Sequence, residues 1–249
     1  MNNRILGIVL EQQDYRNRDV ILKVFTKEYG VISFVARGIR TSKSKNASAC
    51  SLFCESWFYF DFRENSELQS LKIAEKNDFF YRIYESLEKQ VIASLLCETI
   101  KKCNPESREE AYDLLKKSLH FLNVDENPFC VLGLFMAKMN LLSGIRPQID
   151  CCVRCQHATK IIALSIYDGG FVCPDCFEKQ KDQILSIEKL RYFRLFHKAS
   201  IMDYEVLSKM KHYDYNDVKT ILDLFFEYSG IYLRGISFLK QIITIESVE

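Results

Sequence analysis

Short runs of β-branched and aromatic residues, separated by polar turns, dominate the first 75 positions. Ile5–Leu10, Val20–Phe25 and Val31–Ala36 read as strands. From Cys54 to Phe62 the chain alternates, with Ser56, Phe58, Phe60 and Phe62 on one face and Glu55, Trp57, Tyr59 and Asp61 on the other. Phe58, Phe60 and Phe62 are expected in the core and the acidic, aromatic face outside it. Leu68–Ala74 supplies a fifth run. Five short strands in so little chain suit a small closed barrel of the OB type, whose closure removes exposed edges. An SH3-like barrel or a small sandwich gives nearly the same pattern.

After Lys76 the period lengthens. Leu87, Val91, Leu95, Leu96 and Thr99 sit at helical spacing, as do Ala111, Leu114, Leu115 and Leu122. Asn127-Pro128 reads as an N-cap with proline at the first helical position, and Val131, Leu134, Phe135, Met139 and Leu142 form the stripe that follows. Gly144 and Pro147 stop it. Helical spacing returns with Leu190, Phe193, Phe196 and His197, and a final apolar helix is expected around Ile221–Leu233. The fold class predicted is α+β and multidomain. An N-terminal OB-fold β-barrel occupies residues 1–78, and an all-α domain over 79–249 carries an inserted four-cysteine zinc ribbon at 150–178.

That insert carries the most specific chemistry. Cys152-Val153-Arg154-Cys155 is followed, after seventeen residues, by Cys173-Pro174-Asp175-Cys176. Each C-x-x-C turn aims two sulfurs at one point, and a zinc ion needs four ligands at tetrahedral corners. Between the pairs, Lys160–Tyr167 is strand-like and meets the hairpin turn Asp168-Gly169-Gly170, which brings the pairs together. Four thiolates leave no open position, so a single structural Zn2+ is predicted on Cys152, Cys155, Cys173 and Cys176. Buried reduced thiols or a redox pair are the alternatives. Cys151 and His157 are substitute ligands of lower rank. The other cysteines read as small buried apolar residues.

Composition refines this picture. The 249 residues are 48% apolar and 27% charged, with only nine glycines and four prolines, an ordinary globular balance without low-complexity linkers. No apolar run approaches the ~18 residues of a membrane span, and no secretory signal is recognisable, so a cytoplasmic protein with no membrane association is expected. The net charge of +1 hides an asymmetry. The first fifty residues hold nine basic and four acidic side chains, a net +5. The densest stretch is Arg37-Gly38-Ile39-Arg40-Thr41-Ser42-Lys43-Ser44-Lys45. Cations, hydroxyl donors and a glycine there allow close approach to phosphates, so Arg37, Arg40, Lys43 and Lys45 are candidate nucleic-acid contacts, extended by Arg16 and Arg18. A plain solvated loop is the alternative. Trp57 and Tyr59 either stack on single-strand bases or, for Trp57, pack against the helical part. No phosphate-binding loop, nucleophile elbow, metalloprotease motif or dinucleotide fingerprint is present, and no enzyme is predicted.

Taken together, the segments resemble the bacterial RecO family of recombination mediators. The resemblance is carried by Phe25-Thr26-Lys27-Glu28-Tyr29-Gly30, by Val35-Ala36-Arg37-Gly38-Ile39-Arg40-Thr41-Ser42-Lys43-Ser44, by Leu142-Ser143-Gly144-Ile145-Arg146-Pro147 before Cys152, and by Gly169-Gly170 before Cys173. Arg16-Asn17-Arg18-Asp19 departs from the Gly-Glu-x-Asp turn more usual in that family and adds charge. The resemblance implies a DNA-repair protein that binds single- and double-stranded DNA and anneals complementary strands. It further implies work with RecR to load RecA on strands coated by single-strand-binding protein, docking of that protein's acidic C-terminal tail on the helical domain, and association with the nucleoid. Arg191, Arg194 and Lys198 are candidates to receive the tail. A zinc-ribbon transcription or translation factor, and an enzyme whose site assembles from scattered residues, are the rival readings.

Overall fold

Strands β1 (Asn2–Tyr15), β2 (Asp19–Thr26), β3 (Gly30–Ala36), β4 (Glu55–Asp61) and β5 (Leu68–Asp78) close into a barrel in the order β1-β2-β3-β5-β4. All neighbours are antiparallel except β3 with β5. The computed structural model describes residues 2–41, 43–64 and 66–246. Helices α1 (Leu87–Cys103), α2 (Arg108–Val124) and α3 (Pro128–Leu142) follow the barrel. Then come strands β6 (Ala163–Ser165), β7 (Gly170–Val172) and β8 (Asp182–Ile184). Helices α4 (Ile187–Lys198), α5 (Tyr204–Ser208), α6 (Tyr215–Ser229) and α7 (Gly235–Glu246) complete the chain. It divides into two compact units, residues 1–124 with 233–249, and residues 125–232.

The barrel is the five-stranded OB architecture expected from the strand pattern. Its interior holds Val9, Leu22, Val24, Phe34, Phe58 and Phe60, with Phe34 stacked on Phe58 at 5.6 Å and meeting Phe60 edge-on at 5.0 Å. Two expectations for β4 need correction. Phe62 is not core: the strand ends at Asp61, and Phe62 lies 41% exposed, stacked on Tyr29. Glu55 is not outside: it is fully buried, and α2 covers it. Its carboxylate accepts from Tyr112 Oη at 2.8 Å and Lys116 Nζ at 2.8 Å, and also from Asn77 Nδ2. A buried charge is tolerated only when it is paired and hydrogen-bonded, so this cluster fixes α2 on the barrel. Tyr112→Phe leaves one carboxylate oxygen short of a donor. It is expected to lower the unfolding free energy by about 2 kcal/mol in a urea titration.

In the same unit, α7 packs on α1. Sequence periodicity suggests one final helix around Ile221–Leu233, but α6 stops at Gly230, whose φ of +63° suits glycine as the residue closing a helix. The chain then starts α7, whose leading N–H groups, Arg234 and Gly235, donate to the Glu98 carboxylate on α1 at 3.0 and 3.1 Å. That carboxylate lies over 130 residues away in sequence, which no local periodicity reveals.

The second unit is built around α3, which is buried on nearly all sides. Asn127 holds the position before α3 but does not cap it. Its buried amide instead donates to Ser208 O at 3.1 Å and Lys211 O at 2.7 Å, and accepts from Tyr213 N at 3.1 Å. On α4, His197 is buried, with Nδ1 2.8 Å from Phe193 O and Nε2 3.4 Å from Asn140 Nδ2. This pattern assigns the neutral ring, with Nδ1–H donating. Burial pulls its pKa from 6.5 down to about 4 against the opposing carbonyl of Phe193. The unfolded chain therefore takes up this proton first. Stability is full above pH 6.5 and falls by about 3 kcal/mol as the pH drops to 4. Urea midpoints between pH 7 and 4 test this, and His197→Asn is expected to lose that part of the pH dependence.

Candidate metal centre and nucleic-acid interface

Three short strands form the ribbon. β6 pairs antiparallel with β7, Ala163 opposite Val172 and Ser165 opposite Gly170, and with β8 on its other edge. The turn between β6 and β7 closes through Gly169, at φ +68°, whose N–H donates to Ile166 O. The first strand is shorter than its apolar run suggests: Lys160 takes a positive φ of 57° and the strand itself runs only from Ala163 to Ser165. The hairpin brings the knuckles together. The Sγ atoms of Cys152, Cys155, Cys173 and Cys176 all lie within 4.8 Å of one another, with Cys155 and Cys173 3.6 Å apart. A tetrahedron with metal–sulfur bonds of ~2.3 Å has edges of about 3.8 Å, so the four atoms fit a single ion.

Electrostatics agree with that fit. Four thiols this close cannot all ionise unaided. Burial raises Cys152, but the backbone N–H groups of Cys155, Cys173 and Arg154 outweigh it and bring it down to about 6. Cys176 is pushed up to about 12, first by its hydrogen bond with Cys155. A cation held at the centre would supply the charge that lets all four be thiolates. The ribbon's own core is small, Cys152, Ala163, Val172 and Cys173 with a few partly buried neighbours, so the group can hold a metal ion where burial alone is thin. Cys151, bonded to Gln156 Oε1 at 3.1 Å, and His157 stand outside it. Cys50, Cys54, Cys97 and Cys130 are buried thiols whose pKa burial raises, which keeps them inert.

At the barrel, two basic segments distant in sequence meet. Arg40 N donates to Arg18 O at 3.2 Å, and Gly38 N donates to Asp19 Oδ1 at 2.9 Å. These bonds join the turn between β1 and β2 to the loop after β3. Arg16, Arg18, Arg37, Arg40, Lys43 and Lys45 are all exposed there. Arg16 sits at φ +58°, a left-handed conformation that glycine adopts without strain. Arg40 is ion-paired with Asp14, whereas among the described residues Arg16, Arg18, Arg37, Lys43 and Lys45 have no carboxylate partner. Asn46 pins the end of the loop to β5, donating to Lys72 O and accepting from Ala74 N, each at 3.2 Å. Ser42, one of the expected hydroxyl donors, lies outside the described residues.

Comparison with known proteins adds the family. Residues 1–80 match the model described as recombination protein O N terminal, and residues 84–229 match recombination protein O C terminal. The chain belongs to the recombination protein O family. It is similar to DNA repair protein RecO of Bacillus velezensis, 32% identical over 241 residues covering 94% of this chain and 92% of that one. It is also similar to DNA repair protein RecO of Halalkalibacterium halodurans, 28% identical over 246 residues covering 97% and 96%, and of Listeria monocytogenes, 30% identical over 241 residues covering 94% and 92%. Both cysteine pairs fall inside the match to the C-terminal recombination protein O model, and α7 lies beyond it. No helix among the described residues is long and apolar enough to cross a membrane.

Within this family member, other candidates from the sequence are placed differently. Trp57 is covered by a side chain of its own barrel: the Arg4 guanidinium sits 3.8 Å from the Trp57 ring and 5.5 Å from Tyr59, whose hydroxyl donates to Glu75 at 2.8 Å. Of the tail-docking candidates on α4, Arg194 and Lys198 converge on Asp150 at 2.5 and 2.6 Å. Their hydrogen bonds, Lys198 first, hold that carboxyl below its ordinary range. Arg191 is exposed. Sequence reasoning also missed Arg154. Its guanidinium meets Asp182 at 2.7 and 2.8 Å, Asp168 at 2.6 and 2.9 Å, and the Cys176 carbonyl. It ties hairpin turn, third strand and second knuckle together. A lone arginine between the two cysteines of a C-x-x-C turn was the available signal.

Proposed function

We propose that the protein is a DNA-binding recombination mediator of recombinational repair, acting without an active site of its own. The observation that supports this reading is the Arg40–Arg18 backbone bond, which joins the turn bearing Arg16 and Arg18 to the loop bearing Arg37, Arg40, Lys43 and Lys45, all exposed. Such a basic edge neutralises phosphates of single- or double-stranded DNA while leaving bases accessible, which is what annealing of complementary strands requires. The barrel of residues 1–78 holds DNA, and the helical domain of 79–249, with its ribbon at 150–178, provides the protein contacts. In that domain an acidic tail of single-strand-binding protein meets Arg191, with Arg194 and Lys198 exchanging Asp150 for tail carboxylates. RecR is the partner with which the chain helps load RecA on coated strands. The ion on Cys152, Cys155, Cys173 and Cys176 is zinc, since four thiolates in tetrahedral array select it, and its role is structural. The place of action is the cytoplasm, at the nucleoid.

A strand-annealing assay tests the reading. Complementary oligonucleotides, bare or coated with single-strand-binding protein, are expected to pair faster with the protein present. No acceleration on either substrate rejects it.

A further inference from the structure

Tyr29 and Phe62 form an exposed aromatic pair that the basic edge does not use. Their rings are stacked, 5.6 Å between centroids at 26°, and each residue is 41% exposed. Both stand on rigid turns. Buried Thr26 accepts from Tyr29 N at 3.0 Å and donates to Gly30 O at 3.1 Å, and Arg108 donates to Glu28 O at 3.0 Å. Buried Gln69 accepts from Arg63 N at 2.9 Å and donates to Arg63 O and Ser66 O at 3.0 and 2.7 Å, which fixes the chain just after Phe62.

The position of this pair selects its occupant. Tyr29 directly precedes β3 and Arg37 directly follows it. Tyr29 and Arg37 are eight residue steps apart, about 26 Å along the strand at ~3.3 Å per residue. Midway, Lys23 lies opposite Ser33 across the strands, and Lys23 and Lys101 share the single carboxylate of Glu11. Two rings are far too small a patch for a protein interface of roughly 800 Å² a side, but they match the face of a base. Cations along a groove with an aromatic platform are the elements that hold a single strand, over sites of about 4–16 nucleotides.

We propose that Tyr29 and Phe62 are a stacking platform for unpaired bases of single-stranded DNA, reached along β3 from the basic edge. This deepens the nucleic-acid reading above and rests on it. The platform gives the barrel a preference for single strands that phosphate contacts alone do not supply, because paired bases present no free face.

The test compares three probes on the full chain: oligothymidylate of about 20 nucleotides, an abasic strand of equal charge, and a duplex of the same length. The wild type is expected to hold oligothymidylate about tenfold more tightly than the abasic strand. Tyr29→Ala with Phe62→Ala is expected to abolish that preference and leave duplex affinity and the salt slope unchanged, while Phe62→Trp retains it. A double variant that keeps the preference overturns the platform, and so does one that loses duplex affinity alongside it. Wild-type protein that binds every probe but treats thymidine and abasic strands alike also overturns the platform alone. Protein that binds none of them overturns the nucleic-acid reading itself.

Discussion

Cys173→Ser is expected to unfold the ribbon and release its metal. Wild-type protein should carry one zinc ion per chain by elemental analysis, and the variant much less than one. The reason lies in the balance of burial. The buried cluster around the knuckles is only Cys152, Ala163, Val172 and Cys173, too few to offset the entropy of ordering that segment. Metal binding and folding are then one equilibrium, worth roughly 10–16 kcal/mol in isolated zinc peptides. Arg154 transmits the loss, since its partners Asp168, Asp182 and the Cys176 carbonyl lie on the elements that the four-cysteine group brings together. A loss of at least 3 kcal/mol lowers the melting temperature by about 10 °C for a chain of this size. Cys151→Ser, one residue from the first ligand, should leave metal content and melting unchanged. A metal-free Cys173→Ser protein that melts with the wild type refutes the structural role.

Changing Arg37, Arg40, Lys43 and Lys45 to alanine is expected to weaken single-strand binding about a hundredfold at low salt. Each phosphate contact contributes ~0.7 to the slope of log K against log salt on single strands. Arg40 already shares its charge with Asp14, so the full loss comes from Arg37, Lys43 and Lys45 and flattens the slope by about 2. The same ion pair makes an opposite expectation. Asp14→Asn frees Arg40, tightens binding and steepens the slope by up to about 0.7. Anisotropy titrations between 50 and 200 mM salt read both, and an unchanged slope in the fourfold variant removes the loop from the interface.

How much of this was legible beforehand depended on range. The strands of the barrel follow from period-two alternation. The ribbon follows from two C-x-x-C turns, because ligand spacing is a local property of the chain. The location of the positive charge was visible as a run of residues. Its pairing was not: Asp14 lies 26 positions before Arg40, and nothing in the spacing announces that they meet. Phe62 illustrates the opposite error. Alternation carried it into the core one residue beyond the strand's end, where the chain had already turned.

The sequence by itself determined the strand segments of the N-terminal part, the helical segments around α3 and α4, and the two cysteine pairs, since each depends on residues within a few positions of one another; closure of the strands into a barrel was decided by the tertiary structure. Tertiary structure alone decided that Glu55 lies buried beneath Tyr112 and Lys116, that α7 returns to α1 on the Glu98 carboxylate, and that Arg4 covers Trp57 while Tyr29 and Phe62 stay open. Burial and charge pairing are sums over everything packed around a side chain. Neighbours tens of residues away set them, and a pattern read along the chain contains only the near ones.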